Sequence, residues 1–578
     1  MESYDFMTEY QRWMDSPALS ESEWAELDGI SEDAVEIENR FYAPLEFGTA
    51  GLRGTMKTGL HNMNIHVIRH ATQAFADVIK AEGEEAMKKG IAIAHDCRIN
   101  SRVFAKEAAD VMAANGIFVR IFEDLRPTPE LSFAVRYYGT TAGLNITASH
   151  NPKEYNGYKV YWSDGAQLPP AQAEAIAKRM SETDIFTCYQ SCSFDEAVAD
   201  GRISVMGSET DEAFLKEVLA QSINTEVIKA VADELKIVYT PFHGCGYRLV
   251  PEVLKRIGIR HLYPVEQQMV IDGNFPTVVS PNPENPEGFY LAVDLAKQVG
   301  SDLIIGTDPD SDRIGIMVRA DDGEYKTVTG NQLGVLLLDY IIRAKKSTGT
   351  LPENAGTVAS IVTTGMARAV AEANGVHFED TFTGFKFMAE RIAEWESAGS
   401  YQYIMAYEES YGYMMGDYVR DKDAVTASMM VAEMAAFYAQ QGMTLLQAMN
   451  SLYEKYGWFS EKTINLVMPG LDGLEKMQKI MEKLRAEAPD EIAGQKVIRA
   501  RDYLDGSIYV AGLGLVDHTP MKGSNVLYYE LADGSTFIIR PSGTEPKIKI
   551  YILVRGANAD ACSEKISACC AFADSLKE

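Results

Sequence analysis

The sequence lacks an apolar run of the roughly 20 residues that a membrane-spanning helix needs. Its most apolar stretch, residues 427–439, is interrupted by Glu433. The N-terminal segment is acidic and lacks the apolar core of a secretory signal. We therefore expect a protein of the cytoplasm that has no membrane partner.

Cysteine and positive charge are also scarce. The 7 cysteines among 578 residues do not form paired Cys-x-x-Cys motifs, so the sequence predicts reduced thiols in a reducing compartment. Lys and Arg number 54 against 83 Asp and Glu, which gives a net charge of −29. Because a chain this acidic repels phosphate backbones, we expect no nucleic-acid partner. An anionic substrate would have to be drawn in by a local positive site.

Short apolar runs alternate with amphipathic helical patterns along most of the chain. The composition, 46% hydrophobic and 24% charged, is ordinary for globular proteins and excludes a mainly disordered or collagen-like chain. This alternation predicts α/β units with mostly parallel sheets. The predicted helices include Arg102–Asn115 and Pro251–Ile257. The predicted strands are Ile91–Ala94, Ile117–Phe122, Leu144–Thr147, Lys236–Tyr239, Leu303–Ile305 and Tyr403–Ala406.

The two ends of the chain depart from this alternation. Residues 3–46 have a helical, acidic pattern, and we expect them to be anchored by their aromatic side chains, Trp13, Trp24, Phe41 and Tyr42. The tail has predicted strands at Ser535–Arg540 and Lys547–Leu553 and then a helix, which indicates a small α+β domain. At roughly 150 residues per domain, we expect four domains, at residues 1–205, 206–325, 326–456 and 457–578.

A serine follows the predicted strand Leu144–Thr147. Ser149 stands beside His150 and ten residues before Lys159, in a run that reads TASHNPKEYNGYK. A serine at a strand end could be a nucleophile, but the Gly-x-Ser-x-Gly turn of acyl-transfer enzymes is absent. The alternative is an Asn-Pro turn in which the serine satisfies backbone groups.

Three carboxylates follow the predicted strand Leu303–Ile305. Asp308, Asp310 and Asp312 alternate with Pro and Ser, and like charges at this spacing repel unless a cation joins them. Carboxylate oxygens suit Mg²⁺, whereas the glycine and distal glutamate of an EF-hand are out of register. An acidic surface turn is the structural alternative, and an aspartyl-phosphate phosphatase is a rival function.

A loop between the last two predicted strands has the composition of a phosphate cradle. It reads RPSGTEPK and supplies a guanidinium, two hydroxyls, an ammonium group and backbone N–H groups around a glycine. The alternative is a hairpin loop of turn residues. Weaker runs are the glycine-rich segment 47–54 with its Arg53, the strand-end run 408–412 and the segment 383–386 with Lys386.

Taken together, the runs TASHNPxxYNGYK, DPDSDR, EESYG and RPSGTEPK resemble the α-D-phosphohexomutase superfamily, in the family order and over nearly the whole chain. Within it the chain is most similar to the longer, phosphoglucomutase-2-like bacterial type. The first motif, Gly-Thr-Ala-Gly-Leu-Arg-Gly, has the form of the longer subfamily, which includes phosphopentomutases. The resemblance implies three related α/β domains and a smaller C-terminal α+β domain around a central cleft.

The resemblance also implies roles for single residues. Ser149 is expected to carry a phosphoryl group, and Asp308, Asp310 and Asp312 to bind Mg²⁺ together with a phosphoserine oxygen. The residues expected near the phosphoserine are Arg53, His150, Lys159 and Arg313. Those expected to hold the sugar and its non-reacting phosphate are Lys386, Glu408, Ser410, Arg540, Ser542, Gly543, Thr544 and Lys547.

The expected reaction is a reversible mutase reaction. The phosphoserine gives its group to a sugar monophosphate, the bisphosphate turns around, and the other phosphate returns to Ser149. Glucose 1-phosphate and glucose 6-phosphate are the favoured pair, with glucose 1,6-bisphosphate as intermediate and activator. Phosphopentomutase, phosphomannomutase and a non-catalytic sugar-phosphate sensor stay open, as does oligomeric state, monomer or homodimer. We expect Lys159, its pKa depressed by nearby cations, to carry the proton, with His150 as second choice.

Overall fold

The computed structural model describes residues 5–48, 51–468, 473–542 and 547–577. The chain forms two compact units, one of Met1–Thr329 and Ser410–Thr444 and the other of Gly330–Glu409 and Leu445–Glu578. Within the described residues, no helix combines the length and the apolar character needed to cross a bilayer.

The first sheet of unit 1 lies in residues 52–206. Its elements, with the helices around it, are α1 Phe6–Met14, α2 Glu21–Asp28, α3 Ala34–Phe41, β1 Leu52–Thr55, α4 Ile65–Ala81, α5 Glu84–Lys89, β2 Ile91–His95, α6 Ser101–Ala114, β3 Val119–Phe122, α7 Thr128–Tyr138, β4 Ala142–Ile146, β5 Tyr155–Trp162, α8 Pro170–Ser181, α9 Phe194–Ala199 and β6 Ile203–Met206.

The strand order of this sheet is β1-β5-β4-β2-β3-β6. Within this order, β4, β2, β3 and β6 pair in parallel. The strand β5 is antiparallel to both of its neighbours, β4 and β1. Every residue of β2 and β4 is buried, as small and branched apolar side chains in a central parallel strand should be. His95 and Ile146 are paired at the carboxyl ends of these strands, so the loop that carries Ser149 leaves the sheet at this edge.

The N-terminal segment is helical, as its pattern predicts, but two of its four expected aromatic anchors are wrong. Trp13 and Phe41 are fully buried, with ring centroids 5.7 Å apart. Trp24 and Tyr42 are 46% and 47% exposed, respectively. The pattern identified the helices but not the face on which each ring lies.

The second sheet of unit 1 lies in residues 236–328. The elements of this part are α10 Ser208–Ala220, α11 Thr225–Ala230, β7 Lys236–Thr240, α12 Gly246–Arg256, β8 His261–Pro264, α13 Glu266–Met269, a 3₁₀ turn at Pro286–Phe289, α14 Tyr290–Val299, β9 Leu303–Thr307, β10 Ile314–Arg319 and β11 Tyr325–Val328.

The order of the second sheet is β11-β10-β9-β7-β8. The strand β9 is wholly buried, and the chain then turns back into the antiparallel β10, so the three aspartates occupy a tight loop between two paired strands. The predicted helix start at Pro251 is wrong. Proline favours the first turn of a helix, but α12 begins at Gly246 and contains Pro251 in its interior.

The remaining elements begin with a third α/β region. They are α15 Gly330–Thr348, β12 Ala355–Ser360, α16 Gly365–Ala373, β13 His377–Thr381, α17 Phe385–Ala398, β14 Gln402–Glu408, β15 Gly412–Met414, α18 Ala424–Ala439 and α19 Leu445–Tyr456. The strand β12 pairs in parallel with β13 and with β14. The helix α18 belongs to unit 1, and its methionine-rich middle is buried.

The tail of unit 2 is an antiparallel sheet with two helices. Its elements are β16 Trp458–Val467, α20 Gly473–Ala486, β17 Glu491–Ile492, β18 Gln495–Asp502, β19 Ser507–Val510, β20 Gly514–His518, β21 Leu527–Leu531, β22 Thr536–Pro541, β23 Lys547–Gly556 and α21 Ala559–Ser575. The strand order is β16-β23-β22-β21-β18-β19-β20. The expectation of three α/β regions followed by an α+β tail is confirmed.

A small cavity of about 80 Å³ in unit 2 is lined by residues of both its α/β region and its antiparallel sheet, among them Thr364, Arg368, Asp380 and Glu461. Burial raises the pKa of Glu461 from 4.5 to about 7, although a hydrogen bond with Thr364 opposes the shift. The folded protein therefore binds this proton more tightly than the unfolded chain does. The protonated Glu461 carboxyl therefore stabilises the folded state, and this contribution to the unfolding free energy is complete below pH 4.5 and is lost as the pH rises through 7.

The Glu461→Gln variant should accordingly be more stable than the wild type at pH 8 and melt at a higher temperature, because a pKa shift from 4.5 to about 7 corresponds to roughly 3 kcal/mol of unfolding free energy. This advantage should fall to about 1 kcal/mol or less at pH 5. Calorimetric melting temperatures between pH 5 and pH 8 measure this. Glu454 is an exposed glutamate on α19, so Glu454→Gln is the matched control. An advantage that does not change with pH would contradict the prediction.

Candidate active site

Ser149 lies in the loop that follows β4, and its neighbours hold it in an unusual conformation. It is 4% exposed and has a φ of 52°, in the left-handed region that residues with a Cβ seldom occupy. Its backbone N–H donates to Thr147 Oγ1 at 2.9 Å. Its Oγ donates to Asp308 Oδ2 at 3.0 Å, so the serine loop of the first sheet meets the aspartate loop of the second.

The aspartate loop between β9 and β10 brings three carboxylates together. One oxygen each of Asp308, Asp310 and Asp312 lies within 4.8 Å of the others. Asp308 Oδ1 accepts the backbone N–H groups of Asp312 and Arg313, both at 3.0 Å. The turn at Gly244 packs directly against this loop, which requires a glycine because a Cβ there would lie 2.4 Å from the Cα of Pro309.

These carboxylates fit a hard divalent cation. All three are at most 1% exposed, and Asp310 Oδ1 and Asp312 Oδ1 have no hydrogen-bond partner within the described ranges. Burial, together with repulsion from Asp310 and Asp312, holds the pKa of Asp308 well above its usual value. Unpartnered carboxylate oxygens that converge in a buried loop are the ligands that Mg²⁺ takes in proteins.

Two lysines face the carboxylate cluster. Lys159 Nζ lies 2.6 Å from Asp310 Oδ2 and 3.2 Å from Asp312 Oδ2. Burial would lower the pKa of Lys159, but these two carboxylates outweigh it and raise that pKa above its usual value. The expected depression of the lysine pKa by cations is therefore wrong, because the nearest groups are anions.

The second lysine, Lys422, lies outside every motif that the sequence indicated. Its Nζ lies 3.3 Å from Asp312 Oδ2 and 3.0 Å from Asp421 Oδ1. Asp421 also accepts a hydrogen bond from Tyr161 at 2.9 Å. The signal that could have found this lysine is the charged run RDKD, which directly precedes the buried helix α18.

His150, Arg53 and Arg313 complete the group in unit 1. His150 Nδ1 lies 3.4 Å from Ser149 Oγ. Burial, reinforced by Arg313 and Arg53, holds the pKa of this imidazole well below its usual value. Arg53 donates to Asn151 Oδ1 at 3.1 Å, which joins the glycine-rich segment to the serine loop.

In unit 2, the predicted residues Glu408 and Arg540 both affect the pKa of one tyrosine, Tyr551. Glu408 ends β14 and is buried, and Ser360 donates to the neighbouring Glu409 at 3.0 Å. Burial raises the pKa of Tyr551 on β23 to about 12, with Glu409 and Glu408 adding to the shift and Arg540 opposing it. Arg540 and the acidic end of β14 therefore share one electrostatic environment.

Other predicted residues are placed less completely. Ser542 donates its N–H to the carbonyl of Lys547 at 2.9 Å, which closes the β22–β23 hairpin, but Gly543 and Thr544 lie outside the described residues. Lys386 stands at the start of α17 with its pKa lowered by burial. Ser410 is half-buried and belongs to unit 1, whereas Glu408 belongs to unit 2.

Sequence models of one known family match three consecutive parts of the chain. Their descriptions are phosphoglucomutase/phosphomannomutase, alpha/beta/alpha domains I, II and III, and they match residues 44–185, 212–323 and 329–456. A phosphoglucomutase of Staphylococcus aureus (strain MRSA252) is 36% identical over 542 residues, which cover 93% of this chain and 95% of the relative.

Solved structures share the fold. A putative phosphomannomutase from Thermus thermophilus superposes with a TM-score of 0.67 at 18% identity and covers 92% of this chain and 99% of its own. The open form of parafusin, a phosphoglucomutase from Paramecium, has a TM-score of 0.69 at 17% identity and covers 92% and 95%. At these identities the likeness concerns the fold alone.

Proposed function

Because the chain belongs to the phosphoglucomutase/phosphomannomutase family, we propose that it interconverts glucose 1-phosphate and glucose 6-phosphate through glucose 1,6-bisphosphate. Phosphorylated Ser149 is the donor of the phosphoryl group. The observation that carries this proposal is the 3.0 Å contact between Ser149 Oγ and Asp308 at the edge of the carboxylate cluster. A serine in this position can pass on a phosphoryl group where fixed charges stabilise the transferring oxygens.

Each unit has its own part in the proposed reaction. In unit 1, Asp308, Asp310 and Asp312 would hold Mg²⁺, with a phosphoserine oxygen as a further ligand. The bound ion would neutralise charge on the transferring phosphoryl oxygens. In unit 2, the expected contacts to sugar hydroxyls and to the non-reacting phosphate come from Glu408, Arg540 and their neighbours.

Ser149 Oγ gains a proton when its phosphoryl group passes to a sugar hydroxyl, which loses its own, and Oγ releases that proton when the bisphosphate returns a phosphoryl group. Two acceptors for it lie within reach, Asp308 Oδ2 at 3.0 Å and His150 Nδ1 at 3.4 Å. Lys159 Nζ is instead held by the carboxylates of Asp310 and Asp312. We therefore assign the proton carrier to His150 and give Lys159 the role of a fixed positive charge beside the phosphoryl group. This reverses the order of preference that the sequence suggested.

The rival phosphatase reaction needs Asp308 as a nucleophile. Both of its oxygens are engaged, Oδ2 by Ser149 and Oδ1 by the N–H groups of Asp312 and Arg313. A carboxylate held in this way is suited to bind and orient rather than to attack. The contacts therefore favour the mutase.

The reaction can be tested by ³¹P NMR on the purified protein with Mg²⁺ and trace glucose 1,6-bisphosphate. Glucose 1-phosphate, mannose 1-phosphate and ribose 1-phosphate are offered separately. We expect fast conversion of the glucose ester and slow conversion of the others. A preference for mannose or ribose would keep the mechanism and change the substrate, whereas release of free phosphate would contradict the mutase.

We also propose that the protein acts in the cytoplasm on small-molecule sugar phosphates. The sparse cysteines, without paired Cys-x-x-Cys motifs, are typical of a protein in a reducing compartment. The net charge of −29 disfavours nucleic acid as a partner. A monomer or a homodimer, and domain limits near residues 205, 325 and 456, stay predictions.

A further inference from the structure

The side chain of Arg98 binds the main chain of the serine loop. Its side chain is 0% exposed. Nη2 donates to the carbonyls of Ser149 and Asn151, both at 2.5 Å. Nη1 donates to the carbonyls of Pro152 and Tyr155 at 2.8 Å and 3.0 Å. One guanidinium group therefore joins four carbonyl oxygens of the segment that presents Ser149.

The guanidinium is itself held from two sides. Its Nε lies 3.2 Å from Asp96 Oδ2, and the other oxygen of Asp96 accepts the backbone N–H of Arg98 at 2.8 Å. The ring of Phe275, which follows β8 in the chain, lies 5.2 Å from the guanidinium carbon. A Cβ on Gly273 would be 2.5 Å from the backbone N of Ile99, so this segment presses directly on the Arg98 turn.

The serine loop needs such a support. The φ of Ser149 is 52°, a conformation that persists in residues with a Cβ only where the surroundings impose it. The loop also turns several carbonyl oxygens inward, and buried carbonyls are costly without donors. Arg98 donates a hydrogen bond to each of the four carbonyls named above. Among the described residues, it forms no hydrogen bond with Asp308, Asp310 or Asp312.

We propose that Arg98 is a positioning residue for phosphoryl transfer, which ties the serine loop together so that Ser149 Oγ is directed at Asp308. The inference rests on the proposed function. The task depends on the planar fork of the guanidinium, which offers five donors in a fixed arrangement. A lysine keeps the charge but has three donors at one point, so it cannot reach carbonyls on both sides of the loop.

The kinetic test compares Arg98→Lys and Arg98→Ala with the wild type. A misplacement of the reacting group by about 1 Å costs about 100-fold in rate, so we expect kcat for glucose 1-phosphate to fall about 100-fold in Arg98→Lys. KM should stay within about twofold, because sugar binding does not use Arg98. Millimolar guanidinium should restore part of the kcat of Arg98→Ala, and ammonium should not.

The matched control is Arg40→Ala. Arg40 is also buried in the first part of unit 1, and it donates to a main-chain carbonyl, that of Thr58, and to Glu26 and Glu36. We expect this variant to lose thermal stability without a comparable loss of kcat. An equal loss in both variants, or a rise in KM with kcat unchanged in Arg98→Lys, would overturn the positioning role.

A second readout does not depend on the sugar. Hydrogen exchange of peptides that cover residues 147–158 should quicken at least about tenfold in Arg98→Lys relative to the wild type, because each lost hydrogen bond lets the loop open more often. Exchange in Arg40→Ala should be unchanged there. If the wild type converts no sugar phosphate, the proposed function fails while this measurement still decides whether Arg98 orders the loop. Unchanged exchange would overturn the inference.

Discussion

The Ser149→Ala variant should lose at least about 10⁴-fold in kcat, down to the background of the assay, while keeping its fold. Removing the nucleophile of an active site usually lowers kcat by this factor or more. The lost hydroxyl donates one hydrogen bond, to Asp308 Oδ2, so the unfolding free energy should change by about 1 kcal/mol. Turnover of glucose 1-phosphate and a circular-dichroism melt measure the two effects.

The control for Ser149→Ala is Ser181→Ala. Ser181 ends α8, is exposed, and donates locally to the carbonyl of Lys178 at 2.7 Å. It should keep wild-type activity. Intact-mass spectrometry adds a second criterion, because the wild type incubated with glucose 1,6-bisphosphate should gain one phosphoryl group and Ser149→Ala should gain none. Retained turnover in Ser149→Ala would remove the serine from the mechanism.

The Asp310→Asn variant should lose about 10³-fold in kcat and need much more Mg²⁺ for half of its remaining activity. A bound metal contributes several kcal/mol of charge stabilisation in such reactions, and about 4 kcal/mol corresponds to about 10³-fold. Asp310 Oδ2 already accepts from Lys159 at 2.6 Å and Thr128 at 2.7 Å, so its unpartnered Oδ1 is the oxygen expected to meet the ion. Activity measured across a Mg²⁺ titration, and again after chelation with EDTA, tests this.

Asp322→Asn is the control for Asp310→Asn. Asp322 is an exposed aspartate in the turn between β10 and β11, and its 3.6 Å ion pair with Lys326 lies on the surface. We expect its Mg²⁺ dependence to match that of the wild type. If the activity of Asp310→Asn depended on Mg²⁺ as that of the wild type does, the carboxylate cluster would not be the metal site.

Much of the site was predictable because the chemistry is local in the chain. Asp308, Asp310 and Asp312 share one loop of alternating residues after a buried strand, so their proximity follows from the backbone alone. Ser149 and His150 are adjacent, and their place at the end of β4 follows from the apolar run before them. The α/β class follows from the alternation of apolar runs and helical patterns, since each pattern reflects which faces are buried.

The tertiary structure decided the contacts between residues that are far apart in the sequence. The protonated form of Lys159 is stabilised by carboxylates that lie about 150 positions further along the chain. Lys422 and Arg98 contact the site from segments that no motif linked to it. Trp24 in α2 and Tyr42, directly after α3, are exposed although both helices formed as predicted. The physical reason is common to all of them: burial, pKa and hydrogen-bond partners are set by whatever lies within a few ångströms, and distant parts of the chain become neighbours only on folding.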